Sequence, residues 1–299
     1  MKILQPMKPQ LPSILLGLFI GFLASLLVHW MLRGSYEKPF AKRLESTSSL
    51  QINHLRALIE EVSCRSLKIG TRGGFCLSPT DPIKGGNNMW CPKLSAALDN
   101  LFKHQTVGDF GCGLGHYGRY LLRRGDRLMP YSPTVEESIF LNRSEVVAVL
   151  KEPQKIASWT GFDGAGNIES VIKNRFIKFL DLSEEQHLPE KYHWVMSLEV
   201  GEHIPVVFED VFLGNIARHA CRGVVLSWAV LGQGGHHHVN CRNNEYIKAK
   251  MAKLGFHNDL NTEESIRKAT PVKYFKNTLM VFKRNEPLND ENCVRRANI

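Results

Sequence analysis

One short segment limits what this chain can fold into more than any other. Residues 109–118, DFGCGLGHYG, carry glycine at every second position and then once more. The run 106–110 that leads into them is typical of a short strand, and 117–124 is typical of a helix. A glycine-rich turn between a strand and a helix belongs at the ligand-binding edge of an open α/β sheet. We therefore expect a doubly wound sheet with helices on both faces.

The rest of the chain agrees with that expectation. Because strands alternate with helices, the sheet should be mainly parallel with right-handed crossovers. A composition of 43% hydrophobic and 22% charged residues fits a folded protein and argues against a disordered chain. Further strands are predicted at 159–163, 175–180, 192–198 and 223–229, a last antiparallel strand at or near an edge at 277–283, and helices at 94–102, 167–173 and 206–221.

The N-terminal part of the chain carries a stretch without charge. Residues 11–32 would form a helix of about 33 Å, long enough for a bilayer core of about 30 Å. A cleaved signal peptide is the alternative, but the length favours an uncleaved, single-pass signal-anchor. Basic residues flank this stretch on both sides, with more on the C-terminal side, which weakly favours a cytosolic main domain and leaves the orientation open. Asn142 begins a glycosylation sequon that would be usable only if the main domain were luminal. An endomembrane location is expected.

The domain boundaries follow from these segments. We expect Cys76 and Cys91 to pair only if the main domain is luminal. Residues 125–157 are predicted to be an insertion into the main domain, and we expect them to be poorly ordered. The predicted divisions are an N-terminal tail at 1–10, the transmembrane helix at 11–32, a stalk with a short amphipathic helix at 33–88, the main domain at 89–285 with a probable insertion at 125–157, and a polar tail at 286–299.

Two ligands compete for the glycine turn. Gly113, Gly115 and Gly118 satisfy the GxGxxG pattern of dinucleotide-binding proteins. A pyrophosphate would be repelled by Asp109, which comes two residues before the first glycine, Gly111. S-adenosylmethionine carries a sulfonium and an ammonium group, so it would favour an acid there. Asp109 therefore disfavours a nicotinamide-dependent oxidoreductase.

The segment resembles motif I, D-x-G-x-G-x-G, of class I S-adenosylmethionine-dependent methyltransferases. In that family an acid after the second strand takes the ribose hydroxyls, and an acid after the third contacts the adenine amino group. Asp163 and Asp181 hold those positions. Asp181 could also be only a helix cap. The spacing departs from the usual unit, because 54 residues separate Asp109 from Asp163 where about 20 is common.

A second cluster follows the fourth predicted strand. Glu199, Glu202 and His203 share the spacing i, i+3, i+4, which puts them on one face of a helical turn. Their side chains would suit Mg²⁺, Mn²⁺ or Zn²⁺. E-x-x-E-H with a later histidine resembles the motif of the metal-dependent small-RNA 2′-O-methyltransferases. In those enzymes the later histidine precedes a short helix by several residues, and among the histidines at 236–238 that interval favours His238. The alternative is that the acids cap a helix and the histidines form a solvated loop.

Several motifs together, over residues 90–284, resemble type 11 class I methyltransferases and a membrane-anchored methyltransferase-like group. We expect O-methylation of a small-molecule, lipid or glycan hydroxyl, with His203 or His238 as the general base. A non-catalytic S-adenosylmethionine-binding scaffold and an RNA 2′-O-methyltransferase are the alternatives. Dispersed Lys and Arg disfavour nucleic acid as a partner, and nothing specifies an oligomeric state. The resemblance implies that the cofactor is bound by Asp109, Gly111, Gly113, Gly115, Asp163, Asp181 and Glu199, and the metal by Glu199, Glu202, His203 and His238.

Overall fold

The computed structural model describes most of the main domain, and its longest internal gap is residues 125–150. The predicted tail 1–10, the transmembrane helix 11–32 and residues 125–150 of the insertion lie outside the described residues. None of the helices described is both long enough and apolar enough to cross a bilayer. The described residues are 51, 55, 58, 59, 62, 74, 76, 90–124, 151–172, 176–289 and 293.

The core of the domain is a seven-stranded sheet in the order β3-β2-β1-β4-β5-β7-β6. β1 to β5 are parallel, and β7 runs antiparallel to both β5 and β6. The order of the first five strands is that of the Rossmann fold. The antiparallel strand beside them fits the Rossmann-like methyltransferase sheet expected above. The strands are β1 (Thr106–Phe110), β2 (Ser158–Asp163), β3 (Ile177–Phe179), β4 (Tyr192–Ser197), β5 (Ala220–Ser227), β6 (Phe256–Asn258) and β7 (Leu279–Arg284).

Helices cover the sheet. Their apolar side chains form two buried clusters that pack with the strands, and the clusters include Trp194 and Trp228. Two short 3-10 turns, Gly201–His203 and Val206–Phe208, come between β4 and the next helix. The helices are α1 (Pro92–Leu101), α2 (His116–Leu121), α3 (Ile168–Val171), α4 (Glu209–His219), α5 (Asn244–Lys253), α6 (Leu260–Ala269) and α7 (Lys273–Thr278).

The last strand lies where the sequence indicated. β7 was expected to be antiparallel, at or near an edge, and it is antiparallel and second from the edge of the described sheet, between β5 and β6. β6, which forms that edge, was not expected from the sequence. β6 has only three residues, and only Phe256 among them is buried. A strand so short shows no alternation of polar and apolar residues, so its pairing partner decides where it forms.

The predicted insertion is only partly described. Of its last residues, 151–157, Ile156 packs against the domain and Lys155 is bonded to it, although the whole insertion was expected to be poorly ordered. Ile156 is buried, and the backbone N–H of His104 donates to the carbonyl of Lys155 at 2.9 Å. The Lys155 ammonium also lies 3.5 Å from a carboxylate oxygen of Asp99. These residues therefore lead directly into β2.

The cysteine pairing expected from the sequence is wrong. Cys91 is a buried thiol that caps the N-terminus of α1, where its Sγ accepts from the backbone N–H of Leu94. Cys76 does take part in a disulfide. A second disulfide joins Cys221, at the start of β5, to Cys293 in the predicted polar tail. The tail is thus fixed to the sheet at a buried point.

Candidate active site

A cavity of about 370 Å³ opens at the carboxyl ends of β1 and β4, where the order of the strands reverses. Ligands of open α/β sheets bind at such a point. Five carboxylates line the cavity, and none of its described lining residues is Lys or Arg. The cavity is therefore suited to a cationic ligand. The five acids are Asp109, Asp163, Asp181, Glu199 and Glu202.

The glycine turn forms one wall of this cavity. Gly111, Gly113 and Gly115 all adopt positive φ, at 85°, 53° and 72°. A side chain at Gly111 would be strained in this conformation and would also collide with the side chain of Val200. Glycine therefore lets the turn bend tightly and lets its backbone come close to a ligand. Gly113 donates its backbone N–H to Oδ2 of Asp163 at 2.7 Å, which ties the ends of β1 and β2 together.

Asp109 and Asp163 are carboxylates of the cavity wall; Asp109 is buried and Asp163 is half-buried. Burial raises the pKa of Asp109 well above its usual value; the Trp159 N–H opposes this shift and the nearby Asp163 adds to it. Burial also raises the pKa of Asp163, and the backbone N–H groups of Ala165 and Gly113 lower it. Both acids are thus held in place by donors from the protein, Asp109 by Trp159 Nε1 at 3.2 Å.

Asp181 lies just beyond β3, on the same side of the cavity. Its Oδ1 accepts from the backbone N–H of Ser183 at 2.9 Å and from the Ser183 hydroxyl at 2.6 Å. The side chain therefore closes a local turn and also lines the cavity. The position is the one that the family pattern assigns to adenine.

Glu199 is held in an unusual backbone conformation after β4. Its φ is 55°, in the left-handed region that non-glycine residues seldom adopt. Its backbone N–H donates to Ser227 Oγ at 2.8 Å. The carboxylate accepts from Gln233 Nε2 at 3.0 Å and from the Thr278 hydroxyl at 3.3 Å. Strain of this kind persists where the surroundings fix the residue, and it concentrates at functional sites.

Glu202 is the least satisfied acid in the cavity. It is fully buried, and neither carboxylate oxygen has a hydrogen-bond partner among the described residues. Burial raises its pKa well above the usual value and the nearby Glu199 raises it further, while the backbone N–H groups of Glu202 and Ala229, which do not reach hydrogen-bond geometry, oppose the rise. A buried carboxylate without donors is costly unless a proton or a cation neutralises it.

Two histidines converge on Glu202. One ligand atom from each of Glu202, His203 and His238 lies within 4.8 Å of the others. Nδ1 of His203 is 3.2 Å from the carbonyl of His237, and Nδ1 of His238 is 3.1 Å from the carbonyl of Gln233. Because a carbonyl can only accept, each Nδ1 must carry a proton, so that in the neutral ring the lone pair is on Nε2.

Glu199 is absent from this group, although the sequence pattern placed it among the metal ligands. The turn after β4 is a 3-10 turn, Gly201–His203, and Glu199 lies before it in the left-handed conformation. The helical i, i+3, i+4 face assumed from the sequence therefore does not form. The carboxylate of Glu199 is held instead by Gln233 and Thr278.

Several pocket residues had no signal in the sequence. Gln233 belongs to the glycine and histidine loop, but nothing in that loop indicates that it binds Glu199. Thr278 and Tyr274 come from α7, which sequence reasoning did not detect. Gly74, from the predicted stalk, also lines the cavity, and a Cβ added there would lie 2.5 Å from the Gly164 carbonyl.

Comparisons with known proteins add the following. No family model matches the chain, and no curated protein matches it. Among solved structures, it is similar to a TehB-like S-adenosylmethionine-dependent methyltransferase from Corynebacterium glutamicum, at 16% identity, over 64% of this chain and 87% of that one, with a TM-score of 0.42. It is also similar to a magnesium protoporphyrin IX methyltransferase from Synechocystis with bound S-adenosylhomocysteine, at 16% identity, over 64% of this chain and 80% of that one, with a TM-score of 0.40. The cyclase SpnF is similar at 10% identity, over 80% of this chain and 95% of that one, with a TM-score of 0.40.

The reactions in these names differ, since one of the three proteins is a cyclase. A fold does not by itself fix a reaction, which has to be argued from the site. The order of the first five strands gives the chain a Rossmann-like fold. What the cavity can do chemically follows from its own residues.

Proposed function

We propose that this chain is an S-adenosylmethionine-dependent methyltransferase that methylates a hydroxyl oxygen. The observation that carries the proposal is the charge of the cavity, which has five carboxylates and no described Lys or Arg. A dinucleotide pyrophosphate would meet repulsion there, whereas a sulfonium and an ammonium group would meet opposite charge. Asp109, near the end of β1, and Asp163, the last residue of β2, lie beside the glycine turn and are the acids best placed for the cofactor.

The reaction would be an in-line displacement. The acceptor oxygen attacks the methyl carbon, the bond from carbon to sulfur breaks, and S-adenosylhomocysteine leaves. The hydroxyl proton goes to the lone pair on Nε2 of His203 or His238. If both nitrogens bind a divalent cation, as proposed below, the proton goes to water instead. The methyl donor is already activated, so alignment is the main task of the protein and can supply about 7–11 kcal/mol. A pKa of about 4, lowered by burial, keeps His203 neutral near pH 7.

We also propose a divalent cation at Glu202, His203 and His238. The fit rests on the buried oxygens of Glu202, which lack donors, and on the two Nδ1–H groups held by carbonyls, an arrangement common behind metal-binding imidazoles. Mg²⁺, Mn²⁺ or Zn²⁺ bound there would lower the pKa of a hydroxyl beside it. Glu199 would act as a positioning residue through Gln233, which also holds the His238 ring.

For localisation, we propose a single-pass anchor at 11–32 with the domain in an oxidising, luminal compartment. The disulfide between Cys221 and Cys293, together with that of Cys76, supports the luminal side. Disulfides persist in the secretory pathway and are rare in the cytosol. Accessibility of Asn142 to glycosylation in intact cells would test the orientation.

Calorimetry on the full chain in detergent is the test of the cofactor. We expect binding of S-adenosylmethionine and S-adenosylhomocysteine, and none of NAD. A preference for NAD would overturn the proposal. For the reaction, cell membranes are incubated with the chain and methyl-labelled S-adenosylmethionine. Label that depends on the chain supports an enzyme, and binding without any transfer would favour the non-catalytic scaffold.

A further inference from the structure

The exposed apolar side chains of the domain fall on a few segments of the chain. Within the described residues 90–289, six large apolar side chains are exposed, and only Leu260 lies far along the chain from the cavity-lining segments. The other five, Val206, Val207, Leu231, Val239 and Tyr246, are between 38% and 76% exposed and are called the rim below.

Sequence neighbours connect the rim to the acceptor end of the cavity. Val206 and Val207 follow Ile204, which lines the cavity, and Val239 follows His238. The backbone N–H of Val239 donates to the carbonyl of Glu202 at 2.9 Å. Leu231 precedes Gln233, another lining residue. The rim therefore adjoins Glu202, His203 and His238, on segments separate from the glycine turn.

A buried acid joins the two halves of the rim. Glu209, at the start of α4, accepts from the hydroxyl of Tyr246 at 2.6 Å and from Nδ2 of Asn240 at 3.1 Å. It also accepts from Nε of Arg242 at 2.9 Å. Glu209 thus fixes the histidine loop and α5 against the turn that carries Val206. The segments that carry Val206, Val239 and Tyr246 are thereby held together, while these three side chains stay exposed.

Other exposed apolar residues point to the occupant. Outside residues 90–289, the described large apolar side chains that are exposed are Leu55, Leu58, Ile59 and Val62, all helical. They lie on the chain between the uncharged stretch 11–32 and the domain. Exposed apolar surface in a soluble monomer is rarely concentrated in this way. Valine and leucine with a tyrosine among them suit the membrane–water interface, where tyrosine is enriched.

We propose that the methyl acceptor is an amphipathic membrane lipid, whose hydroxyl-bearing head group enters the cavity beside Glu202 while the rim lies in the membrane interface. The inference rests on the proposed function. The bond from the lipid oxygen to the methyl carbon forms as the bond from carbon to sulfur breaks, and the hydroxyl proton leaves as described above. A tether at 11–32 would keep the domain at the same surface.

The depth of the rim is measured first. The full chain is reconstituted in vesicles of phosphatidylcholine and phosphatidylserine, with a nitroxide spin label on Val207→Cys or, as the control, on Leu260→Cys. The unsubstituted chain, treated alike, gives the contribution of the native thiols Cys112 and Cys241. We expect the label at 207 to be more accessible to oxygen than to a water-soluble nickel complex, and the label at 260 to show the reverse.

Equal nickel accessibility at both sites would overturn the proposal. Broadening between labels at position 207 in detergent would also overturn it, because a second copy of the chain would then cover the rim. This measurement does not depend on turnover, so it can fail or succeed separately from the proposed function.

The acceptor is tested with membranes and methyl-labelled S-adenosylmethionine. We expect label in the chloroform-soluble fraction. The double variant Val206→Asp/Val207→Asp should raise KM for the membrane acceptor by about tenfold or more, because apolar contact is lost. Its affinity for S-adenosylhomocysteine should not change, and Leu260→Asp should behave like the wild type.

Label confined to the aqueous fraction would identify a glycan or small solute and overturn the lipid proposal. An unaffected double variant would do the same. No label in either fraction would reject the proposed enzyme, and with it the lipid as substrate.

Discussion

The two ends of the cavity are built differently. At the cofactor end, each acid has donors from the chain itself: Trp159 for Asp109, the glycine turn for Asp163, and Ser183 for Asp181. At the acceptor end, Glu202 is buried without a donor. The first end is thus organised by the fold before any ligand arrives. At the second end the buried carboxylate of Glu202 needs a proton or a cation to neutralise it. A buried acid left in this state is typical of a functional site, whereas acids that only stabilise the fold are bonded to donors of the protein.

The largest predicted effect breaks the acceptor end alone. Glu202→Ala should abolish uptake of a divalent cation and lower turnover at least about 100-fold, since even partners of metal ligands are worth about 10–100-fold. S-adenosylhomocysteine affinity should stay unchanged, because the glycine turn is untouched. Elemental analysis, turnover and calorimetry give the three readouts, with exposed Glu264→Ala as the control. Wild-type protein that takes up no metal would remove the metal proposal.

The next effect breaks the cofactor end. Asp163→Ala should weaken binding of S-adenosylhomocysteine about 100-fold, because hydrogen bonds to a charged acceptor contribute about 1.5–3 kcal/mol each and about 1.4 kcal/mol is tenfold in affinity. Metal uptake should remain. Asp163→Asn keeps one acceptor oxygen, so its affinity for S-adenosylhomocysteine, measured by calorimetry, should lie between those of Asp163→Ala and the wild type. Unchanged affinity in Asp163→Ala would show that this acid does not contact the ribose.

A smaller effect concerns the pH dependence of cofactor binding. The pKa of Asp109 is raised by burial, so the free protein carries a proton there at a pH where an ordinary aspartate has none. Binding of the sulfonium cation favours the ionised form and releases that proton. Affinity for S-adenosylmethionine should therefore rise with pH, by at most about tenfold per pH unit. Calorimetry in two buffers measures the proton, and Asp109→Asn should release none.

The last effect concerns the stability of the fold, lies outside both ends of the cavity and gives the baseline for acid. His219 is buried, and burial lowers its pKa from 6.5 to about 4, while Leu188 donates to its Nε2 at 3.0 Å. The unfolded chain takes up a proton at higher pH than the folded chain. Stability should therefore fall from about pH 6.5 to about pH 4, by up to about 3 kcal/mol from this group.

The measurement is urea unfolding at several pH values, with His219→Gln as the comparison. The variant should show a shallower loss of stability on acidification. If both proteins lose stability in parallel, the imidazole is not responsible. The result also shows how much acid affects the fold, so that it can be separated from the pH dependence at Asp109.

The cofactor end could be anticipated from the sequence to a large extent. A strand, a glycine turn and a helix are local features, so β1, Gly111 and α2 were found close to their observed positions. The acids after three strand ends meet because parallel strands end at one edge. The acceptor end was anticipated less well, since a helical face was assumed for Glu199 where a left-handed residue and a 3-10 turn occur.

The sequence alone determined the type of sheet, the charge sign of the cavity wall and the candidate residues Glu202, His203 and His238, because these depend on periodicity and residue chemistry. Only the tertiary structure decided that β7 lies between β5 and β6, that Cys221 pairs with Cys293, and that Glu199 is held by Gln233 and Thr278. Those outcomes depend on contacts between segments far apart in the chain, where local propensity is weak and packing of the whole domain selects the partner.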